Sequence, residues 1–313
     1  MKKAYITSVI IASALFMGGC NSEDLSDLDA DNSNDLELTI SFVLPEYENA
    51  CEADTRAMIL EGGTINAVWA ETDTVGIFPE VGDQLAYSMA NGVGGTTAKF
   101  DGGSWAMNDR DTYTSYYPFN RWNFFKSASE LELDYTGQTQ IGINNADHLS
   151  AYDYLYAPKT KAANGSLTFN YSHIGFPMKI TMTVPEVGSY ESVYLKSNEN
   201  LFVTKAELDL TAETPTLTPK TISKTHVLKL KNFTTTTANQ KVVVFLMCYP
   251  INGKGKTFYI NLRSTTGCVF TASVSPSANY DATMTRNLTK TMAYDTTESI
   301  SFGGDFSTEE SDL

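Results

Sequence analysis

The 313-residue sequence predicts an all-β protein built from two β-sandwich domains, and three observations carry that prediction. Beyond position 36, apolar residues recur mainly with a period of two, the alternation of a half-buried strand. The runs are short, and clusters of Gly, Asn, Asp, Ser and Pro separate them, which marks tight turns. Hydrophobic residues make up 42% of the chain and aromatic residues 12%, enough to fill cores. Many short strands at this spacing read as sandwiches.

Residues 1–19 read as a signal peptide. Lys2 and Lys3 give a positive start, Ala4 to Met17 is almost wholly apolar or small, and Gly18-Gly19-Cys20 follows. The run is too short to span a membrane and acids follow it at once, so it serves export. Cys20, placed after two small residues, resembles the lipobox Cys of bacterial lipoproteins, which is acylated and becomes the new N-terminus. Met17 stands where Leu is commonest in that pattern. Asn21-Ser22-Glu23-Asp24 resembles the Ser-and-acid signal that sends lipoproteins to the outer face of the outer membrane. Acyl chains at Cys20 would hold the mature chain at that membrane without a transmembrane helix.

The net charge of -15 is unevenly placed: residues 20–56 carry -10, residues 291–313 carry -6, and residues 57–290 only -1. Runs of like charge at chain ends are solvated segments. The acidic balance also excludes nucleic acid as a partner, because phosphate binding needs a positive field.

The first strand is the alternation of Leu36, Leu38, Ile40, Phe42 and Leu44 with Glu37, Thr39, Ser41 and Val43. Further strands are predicted at 74–78, 112–117, 131–135, 167–171 and 179–184, then at 192–196, 227–231, 242–249, 257–262 and 269–274. Turn signals stand at 92–95, Gly102-Gly103, Asn164-Gly165 and Asn252-Gly253. A helix is predicted at 145–152, where an Asn- and Asp-rich start precedes a short mixed run. The Thr-rich stretches 211–225 and 234–238 read as loops. Pro185 to Gly188 follows a strand and divides the body into an N-terminal sandwich, 57–185, and a C-terminal sandwich, 186–313.

Nothing in the chain announces an enzyme, and no cofactor, metal or catalytic residue is expected. His148, His173 and His226 have no His, Cys or carboxylate at ligand spacing. His173, at the start of an apolar strand, reads as a structural imidazole. No Gly-x-Ser-x-Gly elbow and no Cys/His thiol-protease pattern occurs. Gly253-Lys254-Gly255-Lys256-Thr257 has Pro250 where a phosphate loop has its first Gly, and a strand follows it, so it reads as a hairpin turn. Cys248 ends one strand and Cys268 begins another; they either form a disulfide or sit as small buried hydrophobes. The aromatic cluster Tyr116, Tyr117, Phe119, Trp122, Phe124 and Phe125 reads as core with a covered loop. Its alternative is a glycan-binding platform on a monomeric surface lipoprotein.

The most informative arrangement joins three segments. The strand 36–44 is followed by an acidic linker, 46–54, and then by Thr55-Arg56-Ala57, one Arg in an otherwise acid-only leader. A trypsin-like cut between Arg56 and Ala57 would remove the anchor, the acidic leader 20–56 and the strand together. An apolar groove and an unpaired sheet edge would remain, open to a strand from another chain. Near the other end, Met292, Tyr294, Ile300 and Phe302 share one parity, interrupted by Thr296 and Glu298. They form either a donor strand, in cis or in trans, or the last strand of the second domain.

Several pieces together resemble one family. Thr55-Arg56-Ala57, Trp69 with Asp73-Thr74-Val75-Gly76-Ile77-Phe78, Tyr116-Tyr117-Pro118-Phe119, Asp153-Tyr154-Leu155-Tyr156-Ala157, and Leu167-Thr168-Phe169 before His173 are similar to the fimbrillins, lipoprotein pilins of type V pili of the Bacteroidales type. The resemblance covers most of residues 36–185, and Glu71-Thr72-Asp73 departs from the commoner Gly-Asp. It implies two transthyretin-like, Greek-key sandwiches and lipidation at Cys20. It also implies cleavage after Arg56 by an Arg-specific surface protease and polymerisation with other pilus subunits by strand exchange. The implied locations are the outer membrane before processing and a fimbrium after it. Stalk, tip and accessory subunit all remain open.

Overall fold

The computed structural model describes residues 39–45, 59–61, 64–102, 107, 111–121, 123, 127–282 and 285–297. Cys20, Leu36, Leu38, Cys51, Arg56, Ala57, Trp122, Phe124, Phe125, Ile300 and Phe302 lie outside the described residues.

The fold is all-β. The first strands are β1 (Thr39–Val43), β2 (Ile59–Glu61), β3 (Thr64–Asn66), β4 (Thr74–Pro79), β5 (Leu85–Asn91), β6 (Thr97–Asp101) and β7 (Thr112–Tyr117). Next come β8 (Leu131–Asp134) and β9 (Thr139–Ile141), and then a 3-10 helix, Asp147–Tyr152, inside the predicted helical stretch. β10 (Leu155–Lys161), β11 (Ser166–Asn170), β12 (Ser172–His173) and β13 (Phe176–Val184) follow. The later strands are β14 (Gly188–Ser197), β15 (Phe202–Asp209), β16 (Thr216–Ser223), β17 (Thr225–Lys231) and β18 (Thr234–Thr235). The last are β19 (Gln240–Cys248), β20 (Phe258–Ser264), β21 (Val269–Val274), β22 (Arg286–Thr291) and β23 (Ala293–Tyr294).

An eight-stranded sheet runs β11-β1-β6-β5-β4-β7-β10-β12. The connection from β10 to β11 turns tightly at Asn164 and Gly165, with φ of 55° and 72°, between the bridged residues Ala163 and Ser166. Consecutive left-handed residues suit the twist of a tight hairpin, which is why Asn-Gly marks one. Between β5 and β6 the chain turns at Gly92, φ 102°, where a Cβ would lie 2.6 Å from the Thr97 carbonyl oxygen; only glycine fits there. The remaining larger sheets are β19-β13-β22, β16-β15-β8, and β23-β21-β20-β14-β17-β9, with β18 paired to β14.

The buried side chains form three clusters. One, within the eight-stranded sheet, holds Phe42, Trp69, Ile77, Phe100 and Phe169. A second draws Met178, Ile180, Leu195, Val244 and Leu262 from β13, β14, β19 and β20. The third packs Phe78 and Tyr116 of the eight-stranded sheet against Leu133, Leu208, Phe245 and Met247, and so ties the two ends of the molecule together.

Hydrogen bonding crosses residue 185: β13 pairs with β19 and β22, β8 with β15, and β9 with β17. Strand β13 therefore packs its Met178, Ile180 and Met182 into the second cluster and belongs with the sheets that follow it. The stretch read as a loop at 211–225 contains β16, paired along its length to β15. Its side chains are largely exposed on both faces, so it lacks the inward alternation that marks a strand, and Pro219 is tolerated because β16 is an edge strand. The Thr-rich stretch at 234–238 likewise begins with the short strand β18.

Strand β19 ends its sheet, yet from Val243 to Met247 its outer backbone groups are partnered by side chains. Gln138 accepts from the Met247 N–H at 2.8 Å and donates to the Met247 carbonyl at 2.7 Å. Gln140 accepts from the Phe245 N–H at 2.9 Å and donates to the Val243 carbonyl at 3.0 Å. Asn144 accepts from the Val243 N–H at 2.9 Å. His148 Nε2 and His226 Nε2 donate to the carbonyls of Phe245 and Met247 at 3.0 and 2.9 Å. Because a carbonyl only accepts, both rings carry their proton on Nε2. This row of side chains takes the place of a neighbouring strand and leaves no backbone template for another chain.

Two predictions follow from that row. Gln138→Leu keeps side-chain bulk but strips the buried Met247 N–H of its acceptor; the expected loss of stability is about 1–3 kcal/mol, read by denaturant midpoint, with faster hydrogen exchange at the Met247 amide. Burial lowers the His148 pKa from 6.5 to about 4 and also lowers that of His226. On acidification the unfolded chain therefore takes up protons first, so stability, full above about pH 6.5, should fall progressively towards pH 4. His148→Gln should flatten part of that slope in urea melts, and an unchanged slope would refute the assignment.

Candidate functional site

The site that stands out is the slot filled by β1. The strand lies between β11 and β6, parallel to the first and antiparallel to the second. Its register opposes Ile40 to Leu167, Ser41 to Thr168 and Phe42 to Phe169 on one side, and Phe42 to Ala98 on the other. The Leu44 N–H donates to the Thr96 carbonyl at 2.8 Å, and the Tyr171 N–H to the Val43 carbonyl at 2.9 Å. Without β1, both β6 and β11 would present bare ladder groups facing each other across one strand's width.

The floor of the slot is aromatic. Phe42 is 0% exposed, with ring centroids 4.7 Å from Phe100, 5.3 Å from Phe169 and 6.5 Å from Tyr171. Trp69 stands edge-on to Phe100 and to Tyr171, and its indole N–H donates to the Phe42 carbonyl at 3.3 Å. Trp69 is itself clipped to the Gly92 turn: its N–H donates to Gly95 at 3.0 Å, and Gly94 donates to its carbonyl at 2.8 Å. Leu44 is 4% exposed, and Ile40 packs against the same cluster. Fully burying side chains of this size contributes roughly 1.5–3 kcal/mol each. The alternation that predicted the strand placed Ile40, Phe42 and Leu44 on its inner face. Phe100 and Tyr171 went unrecognised as walls of the slot, although the alternation of Ala98 and Phe100 in β6 carries the signal.

At the other end, β22 pairs in parallel with β13. The Met292 N–H donates to the Thr183 carbonyl at 3.0 Å, and the Met292 side chain enters the second cluster. The chain then crosses to β21, where Tyr294 opposes Phe270, 48% exposed and edge-on to that ring at 5.8 Å. Met292 thus enters its own chain's second core, while Tyr294 stays half exposed beside it.

The other candidate residues hold structural places. Cys248 and Cys268 are both free thiols in this structure. Cys248 is buried in the second cluster, where burial pushes its thiol pKa up. Cys268 sits by the turn between β20 and β21, its N–H donating to Ser264 Oγ at 2.9 Å. His173 Nδ1 meets Asp153 Oδ1 at 2.8 Å, both side chains buried, which is a structural imidazole. Tyr116 and Tyr117 are buried, Gln84 donating to the Tyr116 hydroxyl at 2.8 Å and the Tyr117 hydroxyl donating to Asp73 at 2.9 Å. These two rings are therefore core and do not form a platform. Phe119 lines a cleft of about 330 Å3 between Thr72–Thr74 and Ser150–Ala151. Among the described residues, no group of three or more His, Cys, Asp or Glu side chains is arranged to hold a metal ion.

No protein-family model and no curated protein sequence matches the chain. Among solved structures, a candidate cell adhesion protein from Bacteroides ovatus is similar over 82% of this chain and 95% of its own, at 15% identity and a TM-score of 0.51. A candidate cell adhesion protein from Bacteroides uniformis is similar over 77% of this chain and 91% of its own, at 14% identity and a TM-score of 0.51. At these identities the likeness is one of fold, and function has to be argued from the site.

The slot's energetics can be tested on the intact chain. Phe42→Ala should cost about 3–5 kcal/mol in denaturant melts followed by Trp69 fluorescence. Val43→Ala, on the strand's other, half-exposed face, should cost less than about 1 kcal/mol. Equal costs would mean that β1 is not seated in the aromatic slot.

Proposed function

We propose that the chain is a structural subunit of a cell-surface fimbria that supports adhesion. In this reading it is exported as a lipoprotein acylated at Cys20 and held at the outer membrane. An Arg-specific surface protease cuts it between Arg56 and Ala57, and it then joins other pilus subunits by strand exchange. The observation that carries the reading is β1 itself: a strand supplied by the leader, seated between two strands of another sheet segment, with Phe42 buried completely. The covalent route from β1 to β2 runs through residues 44–58 and includes Arg56. One cut there turns an integral strand into a separate peptide held only by its ladder bonds and apolar contacts. The fold shared with two candidate adhesion proteins is consistent with a surface role. In this reading the role is structural, resting on the shape of the slot and the two ladders that β1 joins.

Cleavage would also change the charge. The product from Ala57 to Leu313 would carry -7, against -15 for the whole chain.

The test is proteolysis of the mature lipoprotein. Treatment with an Arg-specific protease should move the N-terminus to Ala57 and yield ladders of SDS-resistant oligomers. Arg56→Ala should stay uncut at that position and monomeric. If Arg56→Ala polymerises as well as wild type, the processing step is wrong.

A further inference from the structure

The body of the chain is electrically divided. Residues 57–175 carry 13 acids against 6 bases, a net -7, and residues 176–290 carry 7 acids against 13 bases, a net +6. In each part, exposed charge gathers around an exposed apolar side chain. The negative place is the turn between β4 and β5, Glu80-Val81-Gly82-Asp83: all four residues are exposed, Val81 by 89%. The positive place is the outer face of β17 and β9. Ile141, 57% exposed, stands opposite Lys231, and the exposed Lys229 lies two residues along the same face, opposite Thr139. Leu228 and Leu230 alternate with these lysines and enter the second cluster. Lys205, Lys220, Lys256 and Arg263 each meet a carboxylate. Glu80, Asp83, Lys229 and Lys231 have no ion-pair partner among the described residues.

We infer that the β4–β5 turn of one copy docks on the β17–β9 lysine face of a second copy, with Val81 against Ile141 and the Glu80 and Asp83 carboxylates against Lys229 and Lys231. A lone exposed valine, or a pair of solvated lysines, is ordinary surface. What fits here is the match: an apolar side chain flanked by two unpaired charges on each surface, with opposite signs. Both surfaces are present in the uncut chain, so the inference does not depend on the removal of β1.

Within one copy the two surfaces do not meet, as their exposure and unpaired charges show. The topology gives the reason. The chain leaves the eight-stranded sheet for β13 where Leu155 opposes both Tyr117 and His173. The β4–β5 turn sits at the other end of those strands, where the Glu80 N–H donates to the Thr112 carbonyl and Thr112 opposes Lys161. A second copy is therefore the occupant. The contact joins two different surfaces, so each docked copy still offers the other one, and copies line up with a single polarity. One turn on one sheet face is small beside the roughly 1,200 Å² of a stable interface, so it acts on encounter and orientation. Opposite charges speed the matching approach, while turn-to-turn and face-to-face approaches bring like charges together.

The experiment uses the chain from residue 20 onward with Arg56→Ala, which keeps the leader and β1 in place, and with Cys20→Ser, Cys51→Ser and Cys268→Ser. One preparation carries Val81→Cys and a second, made heavier by a tag, carries Ile141→Cys. They are mixed in equal amounts at about 20 mM salt and oxidised. The mixed disulfide dimer should exceed the two like dimers together by at least about fivefold, and should fall to its statistical half at about 500 mM salt. Glu80→Lys with Asp83→Lys on the first preparation should remove the excess, and Lys229→Glu with Lys231→Glu on the second should restore it. All four positions are exposed, so the variants should melt like their parents. No dimer at low salt, a mixed dimer at its statistical share, or an excess that charge reversal leaves unchanged overturns the inference and leaves strand removal standing. An excess lost on reversal and not regained in the charge-swapped pair also overturns it.

Discussion

The burial of one phenylalanine ring organises the first half of the molecule. Phe42 is surrounded by Trp69 from the loop before β4, Phe100 from β6, and Phe169 and Tyr171 from the β11 region. These four side chains come from segments up to about a hundred residues apart in the sequence, and the Phe42 ring, on the strand between β11 and β6, completes the core they make. Trp69 is fixed from both sides, by the Gly92 turn and by the Phe42 carbonyl. Removing the strand would cost apolar contact and would also leave two parallel rows of ladder groups without partners, a double penalty that a simple edge strand does not carry.

The second half closes its exposed edge by other means. β19 could have ended its sheet as a template for another chain, but Gln138, Gln140, Asn144, His148 and His226 occupy its outer backbone groups from Val243 to Met247. Side chains that belong to the body of the protein cannot be cut away. A strand supplied by the leader can be. The two devices answer the same physical need, the satisfaction of an edge, and they differ in whether the answer is permanent. In the proposed reading strand addition falls at the slot of β1, where the closing element is joined to the body through one short stretch of chain.

What the sequence shows of this depends on whether a segment buries one face. β13, with Met178, Ile180, Met182 and Val184 inward, and β19, with Val242, Val244 and Leu246 inward, announce themselves by alternation. So does β1, and the Asn164-Gly165 turn is legible from its dipeptide. β16 does not, because an edge strand of Thr, Pro and Lys exposed on both faces has no inward set to repeat. β22 offers only Leu288 to the core and is equally silent. Pairing across residue 185 is a long-range choice that local pattern cannot record. The Gln138 and Gln140 side chains look like ordinary surface residues in a list of letters; only the placement of β19 reveals them as backbone partners.

Charge bears on how the slot could change occupants. The leader from 20 to 56 carries -10, and the segment from 291 to 313 carries -6. In the proposed reading, an attached leader presents like charge to any other acidic segment that approaches the slot, a repulsion that acts within a Debye length of about 8 Å at physiological ionic strength. The tethered strand is also present at a high effective concentration, on the order of millimolar for a short linker, so a free competitor loses to it. A cut after Arg56 ends both advantages at once. The peptide would then be dilutable, and its charge would leave with it. The acidity that looks like a property of the whole chain therefore sits at its two ends, most of it in a stretch that the proposed cut would remove.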